Sequence, residues 1–410
     1  MITLANQPIA GNLYAAYRPV VYFVDQTGGA AALPPALEVD VLRRGETVVS
    51  YAAGISEART EKTRRFTLDL GRVTAPYFDR RAGLPTPGMT RPPRLLPGSI
   101  FPLSLLLAEH AASDESGLLA PTGNTLNTLT CYVIDAYRRP DDLDQTVDTY
   151  GRPRSPRFLT RRPSEVTLRI AARDTLSVVN VYRAEAGELN ISYLPMLVRF
   201  TFFREDGSTI TTAEVRISDG PRDFVQFPYG PADLLRIPWT SGTALDQAGL
   251  DALHHYTVQV GRLAAIQSGS FSGSGERRVV YVDRSACNPL RLHFYNSFGA
   301  WEVAEFDESA ARRLDLSGST YGRPGEVRTL SRSSRGAIEI THSTYSRAEA
   351  DWLLDLANSP AIYLEENGRM LPYLLEASVL PVAYGPGSDG RQPFRATLRS
   401  TTVTTSQRAF

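Results

Sequence analysis

Residues 277–306, RRVVYVDRSACNPLRLHFYNSFGAWEVAEF, are the stretch that decides the predicted fold. Leu290, Leu292 and Phe294 alternate with Arg291, His293 and Tyr295. An alternation with a period of two places one set of side chains in a core and the other set outside, which is typical of a strand. We predict a turn at residues 296–299, with Trp301 as a buried anchor. The stretch then contains three strands: Val279–Asp283, Leu290–Tyr295 and Trp301–Phe306.

The bulk composition indicates a multidomain globular protein. At 410 residues with 42% apolar residues, the chain is long and apolar enough for two to four packed domains. The 44 basic and 44 acidic residues balance, which argues against broad binding to nucleic acid or membrane surfaces. Lys62 is the only lysine, so nearly all cations are arginines. A GC-rich genome is the simpler explanation, and bidentate contacts within an assembly are the alternative.

Cysteine usage and the N-terminus suggest no export signal and no metal cluster. Cys131 and Cys287 are the only cysteines and lack metal-type spacing, so we predict buried free thiols, with a disulfide between them as the alternative. The first residues, MITLANQPIAGNLYAAYRP, have no charged start and no apolar core, so we expect no signal peptide. No run approaches 18 apolar residues, so we expect no membrane span.

The first two thirds of the chain predict two β-sandwiches. Residues 1–137 contain short strands at about ten-residue spacing, which is typical of a sandwich. They are interrupted at 81–126 by a Pro/Gly-rich insertion that we interpret as a contact arm, or as a loop wrapped on the surface. Within it, the apolar run Ile100–Glu109 predicts a strand or a short helix. Residues 138–163 form a polar linker with mixed charges. Residues 164–276 predict the second sandwich, with a hairpin at Asp206-Gly207.

The last part, residues 277–410, predicts a β domain with one helix at 347–358. Ser346 is a good N-cap, and Glu349 completes a capping box. Asn367-Gly368 is the strongest short hairpin signal in the chain. The helix has an apolar stripe with Trp352 at its edge: Ala350, Leu353, Leu354 and Ala357. The predicted fold is mainly β: tandem β-sandwich domains followed by a C-terminal β domain that carries one packed α-helix.

Catalytic motifs are missing from the sequence. There is no phosphate-binding Gly-Lys loop, no HExxH, no Cys/His zinc cluster and no GxSxG elbow. His254-His255 is the only adjacent histidine pair, and because neighbours in a strand point to opposite faces we expect no joint metal binding. Glu302 with Glu305, or Asp307 with Glu308, could form a glycosidase pair, although paired carboxylates are common on solvated strand faces.

Aromatic residues are a better clue to function. Several tyrosines could line a sugar site or an interface, although core packing is the commoner fate of such residues: Tyr14, Tyr17, Tyr22, Tyr77, Tyr193 and Tyr229. We predict no catalytic, cofactor-binding or metal-binding residues, no cofactor and no enzymatic activity.

The C-terminal third carries a family resemblance. The Cys-Asn-Pro at 287–289, the LRLHFYNSFGAWEVAEF hairpin and the segment WLLDLANSPAIYLEENGRMLPYLLEA resemble tail proteins of phages and prophages of the Bacteroidetes kind. The layout is similar to that of tail-tip and distal-tail proteins, in which a helix packs beside a β-sandwich that forms ring contacts. The resemblance covers roughly residues 277–376, about a quarter of the chain. It implies a structural role, so no catalytic residues are transferred.

The resulting hypothesis is a structural component of a phage tail tip, baseplate or related injection machine. The expected partners are copies of the chain in a ring and other tail proteins, with arms 81–126 and 138–163 clamping neighbours. The expected location is the virion tail, after assembly in the host cytoplasm, with no nucleic acid bound. The alternative is a carbohydrate- or receptor-binding protein that recognises host glycans through an aromatic platform, and a glycan hydrolase is the third hypothesis.

Overall fold

The computed structural model describes residues 2–27, 36–60, 63–89, 92–112, 119–136, 156–180, 196–217, 222–263, 271–273, 275–285, 289–306, 311–323, 326–344, 346–379, 392–401 and 404–407. The protein is mainly β, as predicted, and its strands form five sheets around three hydrophobic cores.

The first sandwich is built from residues 2–136. One sheet has the order β1-β3-β7-β6 and the other β2-β11-β9-β4-β5, with β10 beside β9. The strands of these two sheets are β1 (Ile2–Asn6), β2 (Leu13–Ala15), β3 (Val21–Thr27), β4 (Ala36–Arg43), β5 (Glu46–Ala53), β6 (Glu57–Thr60), β7 (Thr63–Asp69), β9 (Ile100–Ala112), β10 (Leu119–Asn127) and β11 (Cys131–Ile134). Strand β8 (Arg94–Leu96) lies between β7 and β9 in the chain but belongs to the second sandwich. A short helix, α1 (Gly71–Thr74), and a 3-10 turn at Ala75–Tyr77 follow β7.

Alternation explains how the first sandwich packs. Tyr22 and Val24 of β3 face Leu103 and Leu105 of β9 across one core, each at every second position. The insertion predicted at 81–126 therefore needs correction, because β9 is a central strand of the sandwich.

Cys131 is a buried free thiol of this core, as predicted, and burial raises its pKa to about 11. Cys287 lies outside the described residues.

The second sandwich combines a large sheet, β12-β20-β18-β14-β15-β17 with β19 beside β18, and a small one, β13-β16-β8. Its strands are β12 (Glu165–Arg169), β13 (Thr175–Val179), β14 (Met196–Phe203), β15 (Thr209–Arg216), β16 (Phe224–Pro228), β17 (Ser241–Gly242), β18 (His255–Leu263), β19 (Phe271–Ser272) and β20 (Arg277–Asp283). A 3-10 helix at Pro231–Arg236 and α2 (Gln247–Asp251) lie between strands. The hairpin at Asp206-Gly207 is confirmed, with Gly207 at φ 80°.

Two features of this sandwich differ from the prediction. β20, which we grouped with the following hairpin, pairs with β12 and β18 instead, so the stretch 277–306 crosses between two sheets. The predicted linker 138–163 is described only from residue 156, and that end is packed: Phe158 and Leu159 are buried in the second core. Apolar side chains in a polar run provide the burial that fixes this end of the chain.

The C-terminal domain has one eight-stranded sheet, β22-β21-β25-β26-β27-β24-β23, with β28 beside β24. Its strands are β21 (Leu290–Tyr295), β22 (Trp301–Phe306), β23 (Ala311–Arg323), β24 (Glu326–Thr344), β25 (Ile362–Glu366), β26 (Arg369–Val379), β27 (Gln392–Ser400) and β28 (Thr404–Gln407). Helix α3 (Arg347–Ala357) packs against the sheet.

The local signals in this domain are confirmed. Ser346 caps α3 by accepting a hydrogen bond from the Glu349 N–H at 3.1 Å. Asn367 and Gly368 form the turn between β25 and β26 with φ of 50° and 71°, as a type I′ turn requires. The buried stripe of α3 is shifted from the predicted one, because it includes Trp352 and Leu356 in place of Leu354 and Ala357: Ala350, Trp352, Leu353, Asp355 and Leu356.

Candidate functional site

The candidate carboxylates do not form an open pair. Glu302 is buried, at 4% exposure, and Glu305 forms a 2.7 Å ion pair with Arg291. Asp307 and Glu308 lie outside the described residues. The expectation that Glu302 lies on a solvated strand face is wrong, because β22 is covered on both faces. The face of β22 that carries Glu302 contacts α3 through Trp352. The face that carries Trp301 contacts Arg80, in the segment between β7 and β8.

Glu302 is the centre of a buried cluster that we call the polar junction, formed by Arg161, Arg162, Asn296, Glu302, Trp352 and Asp355. Glu302 accepts hydrogen bonds from Trp352 Nε1 at 2.7 Å and from Asn296 Nδ2. Asn296 Nδ2 also donates to the Leu159 carbonyl at 2.7 Å. The junction thus joins the β21–β22 turn, helix α3 and the end of the predicted linker.

Two arginines bring the second sandwich into the junction. Arg162 forms an ion pair with Asp174, donates to the Tyr229 hydroxyl at 2.8 Å, and lies over the Trp352 ring at 4.8 Å. Arg161 donates to the Ser297 hydroxyl at 3.0 Å, and that hydroxyl donates to Asp355 at 3.0 Å. The stacking of the Arg162 guanidinium on the Trp352 ring needs arginine rather than lysine.

The electrostatics of the junction are those of a closed joint. Burial, with a smaller contribution from the charge of Asp355, raises the pKa of Glu302 to about 7, although hydrogen bonds from Asn296, Thr160 and Trp352 oppose the rise. Glu302 and Asp355 are 4% and 0% exposed, so neither carboxylate is accessible to a polysaccharide. A carboxylate with this pKa can exchange a proton near neutral pH, but here its partners are structural.

A second joint connects the first sandwich to the C-terminal domain. Arg80 donates to Asp135 from Nε at 2.7 Å and from Nη2 at 3.2 Å. Its guanidinium lies 5.8 Å from the centre of the Tyr295 ring. Trp301 Nε1 donates to the Arg80 carbonyl at 2.7 Å. Trp301 is a buried anchor, as predicted, and what it anchors is the start of the Pro/Gly-rich segment.

The described residues of the first part of the Pro/Gly-rich segment, 81–89 and 92–99, contact other parts of the same chain. β8 pairs with β16 of the second sandwich, and Gln226 Nε2 donates to the Gly83 carbonyl at 2.9 Å. A Cβ on Gly83 would lie 2.9 Å from the Trp301 ring, so only glycine fits this close approach. Within the described residues, this segment therefore links the second sandwich to the C-terminal sheet of the same chain.

The predicted tyrosine platform is not formed by the described residues. Tyr22 and Tyr229 are buried in separate cores. The Tyr77 hydroxyl donates to the Val48 carbonyl at 3.0 Å, and Tyr14 accepts from the Ile9 N–H at 2.8 Å. Tyr17 is 40% exposed but lies beside Arg80, and Tyr193 lies outside the described residues.

A different aromatic row lies on the outer face of the large sheet. Phe203 of β14, His255 of β18 and Tyr281 of β20 are direct cross-strand neighbours. The Phe203 and His255 rings stack at 4.8 Å and 8°, and Tyr281 lies 5.6 Å from His255. Sequence reasoning missed this row because cross-strand register links residues that are far apart in the chain.

The histidine pair also differs from the prediction. His254 precedes the first residue of β18, so the alternation of a regular strand does not apply to it. The Nδ1 atoms of His254 and His255 face each other at 3.1 Å. His254 is exposed and His255 is half-buried.

Strand β23, at one edge of the C-terminal sheet, is the longest edge strand among the described strands. β23 is the last strand of its sheet and pairs only with β24, over thirteen positions, in the described part of the chain. β24 is supported on its other side by β27 and, as far as Ser331, by β28. Beyond that point, in the described residues, the tip of the hairpin has strand pairs only between β23 and β24, from Thr320↔Thr329 to Arg323↔Glu326. The opposite edge strand, β22, lies against β13.

Comparison with known proteins gives no relative: no protein-family model and no curated protein matches the chain. None of the described helices is long and apolar enough to span a membrane. Over the same described residues, no three His, Cys, Asp or Glu side chains group as metal ligands would.

Proposed function

We propose that the chain is a structural component of a phage tail tip, baseplate or related injection machine, and that it acts through protein–protein assembly in the virion tail. The observation that carries the proposal is the free edge of β23. A long edge strand presents a row of backbone donors and acceptors and accepts a strand from another chain. The resemblance of residues 277–376 to tail proteins supports the same role.

The joints between the three cores support a rigid building block. The polar junction fixes the C-terminal sheet to the second sandwich, and Arg80, Trp301 and β8 fix both to the first. A hairpin presented from such a body keeps one orientation relative to the rest of the chain. Strand addition at β23, by a neighbouring copy or another tail protein, would then position the partner without a large ordering cost.

The proposal is tested by shortening the hairpin. Residues 319–331 are replaced by Asn-Gly, so that Gly318 and Arg332, which already pair, close a two-residue turn. We expect the wild-type chain to self-associate or to be incorporated into particles. The shortened chain should remain folded and monomeric and be excluded from particles. Mass is measured by light scattering during gel filtration, and particles by electron microscopy.

The matched control is Asp206→Asn at the short β14–β15 turn, which leaves β23 unchanged. Self-association that is unaffected by the shortened hairpin would show that the removed tip, residues 319–331, is not the contact. A wild-type chain that stays monomeric at high concentration and is absent from purified particles would refute the assembly role.

The second candidate is a carbohydrate- or receptor-binding protein, and the aromatic row of Phe203, His255 and Tyr281 favours it. Aromatic rings on the outer face of a sheet, here with Tyr281 exposed, suit the apolar faces of sugar rings. A glycan array with the wild-type chain and with Tyr281→Ala tests this candidate. Binding that Tyr281→Ala abolishes while the shortened hairpin has no effect would favour recognition over assembly.

A further inference from the structure

The histidine pair, His254 and His255, is held by backbone and ring contacts from both neighbouring strands. The His254 N–H donates to the Phe203 carbonyl at 3.0 Å, and the His254 carbonyl accepts from the Val282 N–H at 3.0 Å. The His255 ring stacks on Phe203 at 4.8 Å, and the His254 ring lies edge-on to Tyr281 at 6.0 Å. The rings are therefore oriented before any ligand arrives, which lowers the cost of binding one.

Two Nδ1 atoms at 3.1 Å must share a cation or a proton, because two lone pairs at that distance repel each other. A metal–nitrogen bond of about 2.0–2.1 Å places two nitrogen ligands about 2.9 Å apart at a right angle and about 3.3 Å apart at the tetrahedral angle. The observed separation lies between these two values.

We propose that His254 Nδ1 and His255 Nδ1 form a two-histidine chelate for a borderline divalent cation of the Cu²⁺, Ni²⁺ or Zn²⁺ class. Water completes the coordination, because no third His, Cys, Asp or Glu joins the pair in the part of the chain that the structure describes. Imidazole pairs prefer these metals to Mg²⁺ and Ca²⁺, and the Irving–Williams order makes Cu²⁺ the tightest. The site is independent of the β23 edge and of the proposed assembly role.

The test is calorimetric titration of the full-length chain, without an affinity tag, with CuSO₄, NiCl₂ and ZnCl₂ in a buffer that does not chelate metals. CaCl₂ is the negative control. We expect one equivalent to bind, with Cu²⁺ tightest, and a Cu²⁺ paramagnetic resonance spectrum with coupling to two nitrogens. His254→Ala and His255→Phe should each weaken Cu²⁺ binding at least about tenfold, and His255→Phe keeps an aromatic ring against Phe203.

The matched control is His110→Ala. His110 is not part of the histidine pair, and its Nε2 lies 2.6 Å from a Glu38 carboxylate oxygen. This variant should bind Cu²⁺ as the wild type does, and circular dichroism should show that all three variants are folded. The proposal is overturned if titration shows no saturable one-to-one binding, if both pair variants keep wild-type affinity, or if His110→Ala causes an equal loss.

Discussion

Replacing Glu302 by glutamine should change how stability depends on pH. In the folded protein, burial raises the pKa of Glu302 from the usual 4.5 to about 7. Between these values the folded chain binds more protons at this residue than the unfolded chain does. Its contribution to stability is therefore fully present below pH 4.5, decreases as the pH rises, and is lost above pH 7.

The magnitude follows from the two pKa values. They give a loss of about 2–3 kcal/mol in the free energy of unfolding between pH 5 and pH 8. Glutamine cannot ionise, so the variant lacks this loss. Its amide N–H would face Asn296 Nδ2 or Trp352 Nε1, both of which are donors, and that mismatch costs about 1–3 kcal/mol at every pH.

The quantity to measure is the change with pH of the difference between variant and wild type, because the constant cost and all other titrating groups cancel from it. Urea unfolding is followed at pH 5, 6, 7 and 8 by tryptophan fluorescence, since Trp352 contacts Glu302. The free energy of unfolding of the variant relative to that of the wild type should rise by about 2–3 kcal/mol over this range. Glu305→Gln on the same strand is the matched control. A difference for Glu302→Gln that stays constant, or that falls with pH, would refute the reasoning.

Three further substitutions test local geometry by urea unfolding. Gly368→Ala should lower the free energy of unfolding by about 1 kcal/mol. The cost comes from the positive φ of 71° alone, because a Cβ there meets no atom within 4 Å. A neutral result would contradict the turn assignment. Gly83→Ala should cost about 1–3 kcal/mol by overpacking, because its Cβ would lie 2.9 Å from Trp301, whereas Gly54→Ala, with open space around it, should have little effect. Ser346→Ala should cost about 1 kcal/mol by removing the cap of α3, and no loss of stability would show that the cap hydrogen bond is unimportant.

The features that sequence reasoning predicted are those set by residues close together in the chain. The Asn367-Gly368 turn, the Asp206-Gly207 turn and the Ser346 cap each depend on a few consecutive residues. The mainly β fold follows from alternation along single strands, as in Leu290–Tyr295. Local backbone preference and hydrophobic period are enough for such features.

The features that it missed depend on contacts between distant residues. Burial of Glu302 requires α3 and the Arg161–Arg162 segment, and the position of Gly83 requires Trp301, more than 200 residues away. The histidine pair was missed for a different reason. Strand alternation was applied to His254, which lies one residue before its strand begins.

The use of arginine connects these observations. Arg80, Arg162 and Arg278 link separate segments of the chain through ion pairs, carbonyl contacts and aromatic faces. A composition with one lysine and an even charge balance is thus consistent with cations used inside the molecule as joints. Arginines used in this way make the three cores one body, so contacts with other chains would have to come from elements outside the joints. Strand β23, the longest edge strand in the described part of the chain, is an element of that kind. This is why the shortened hairpin, rather than an arginine substitution, separates assembly from folding.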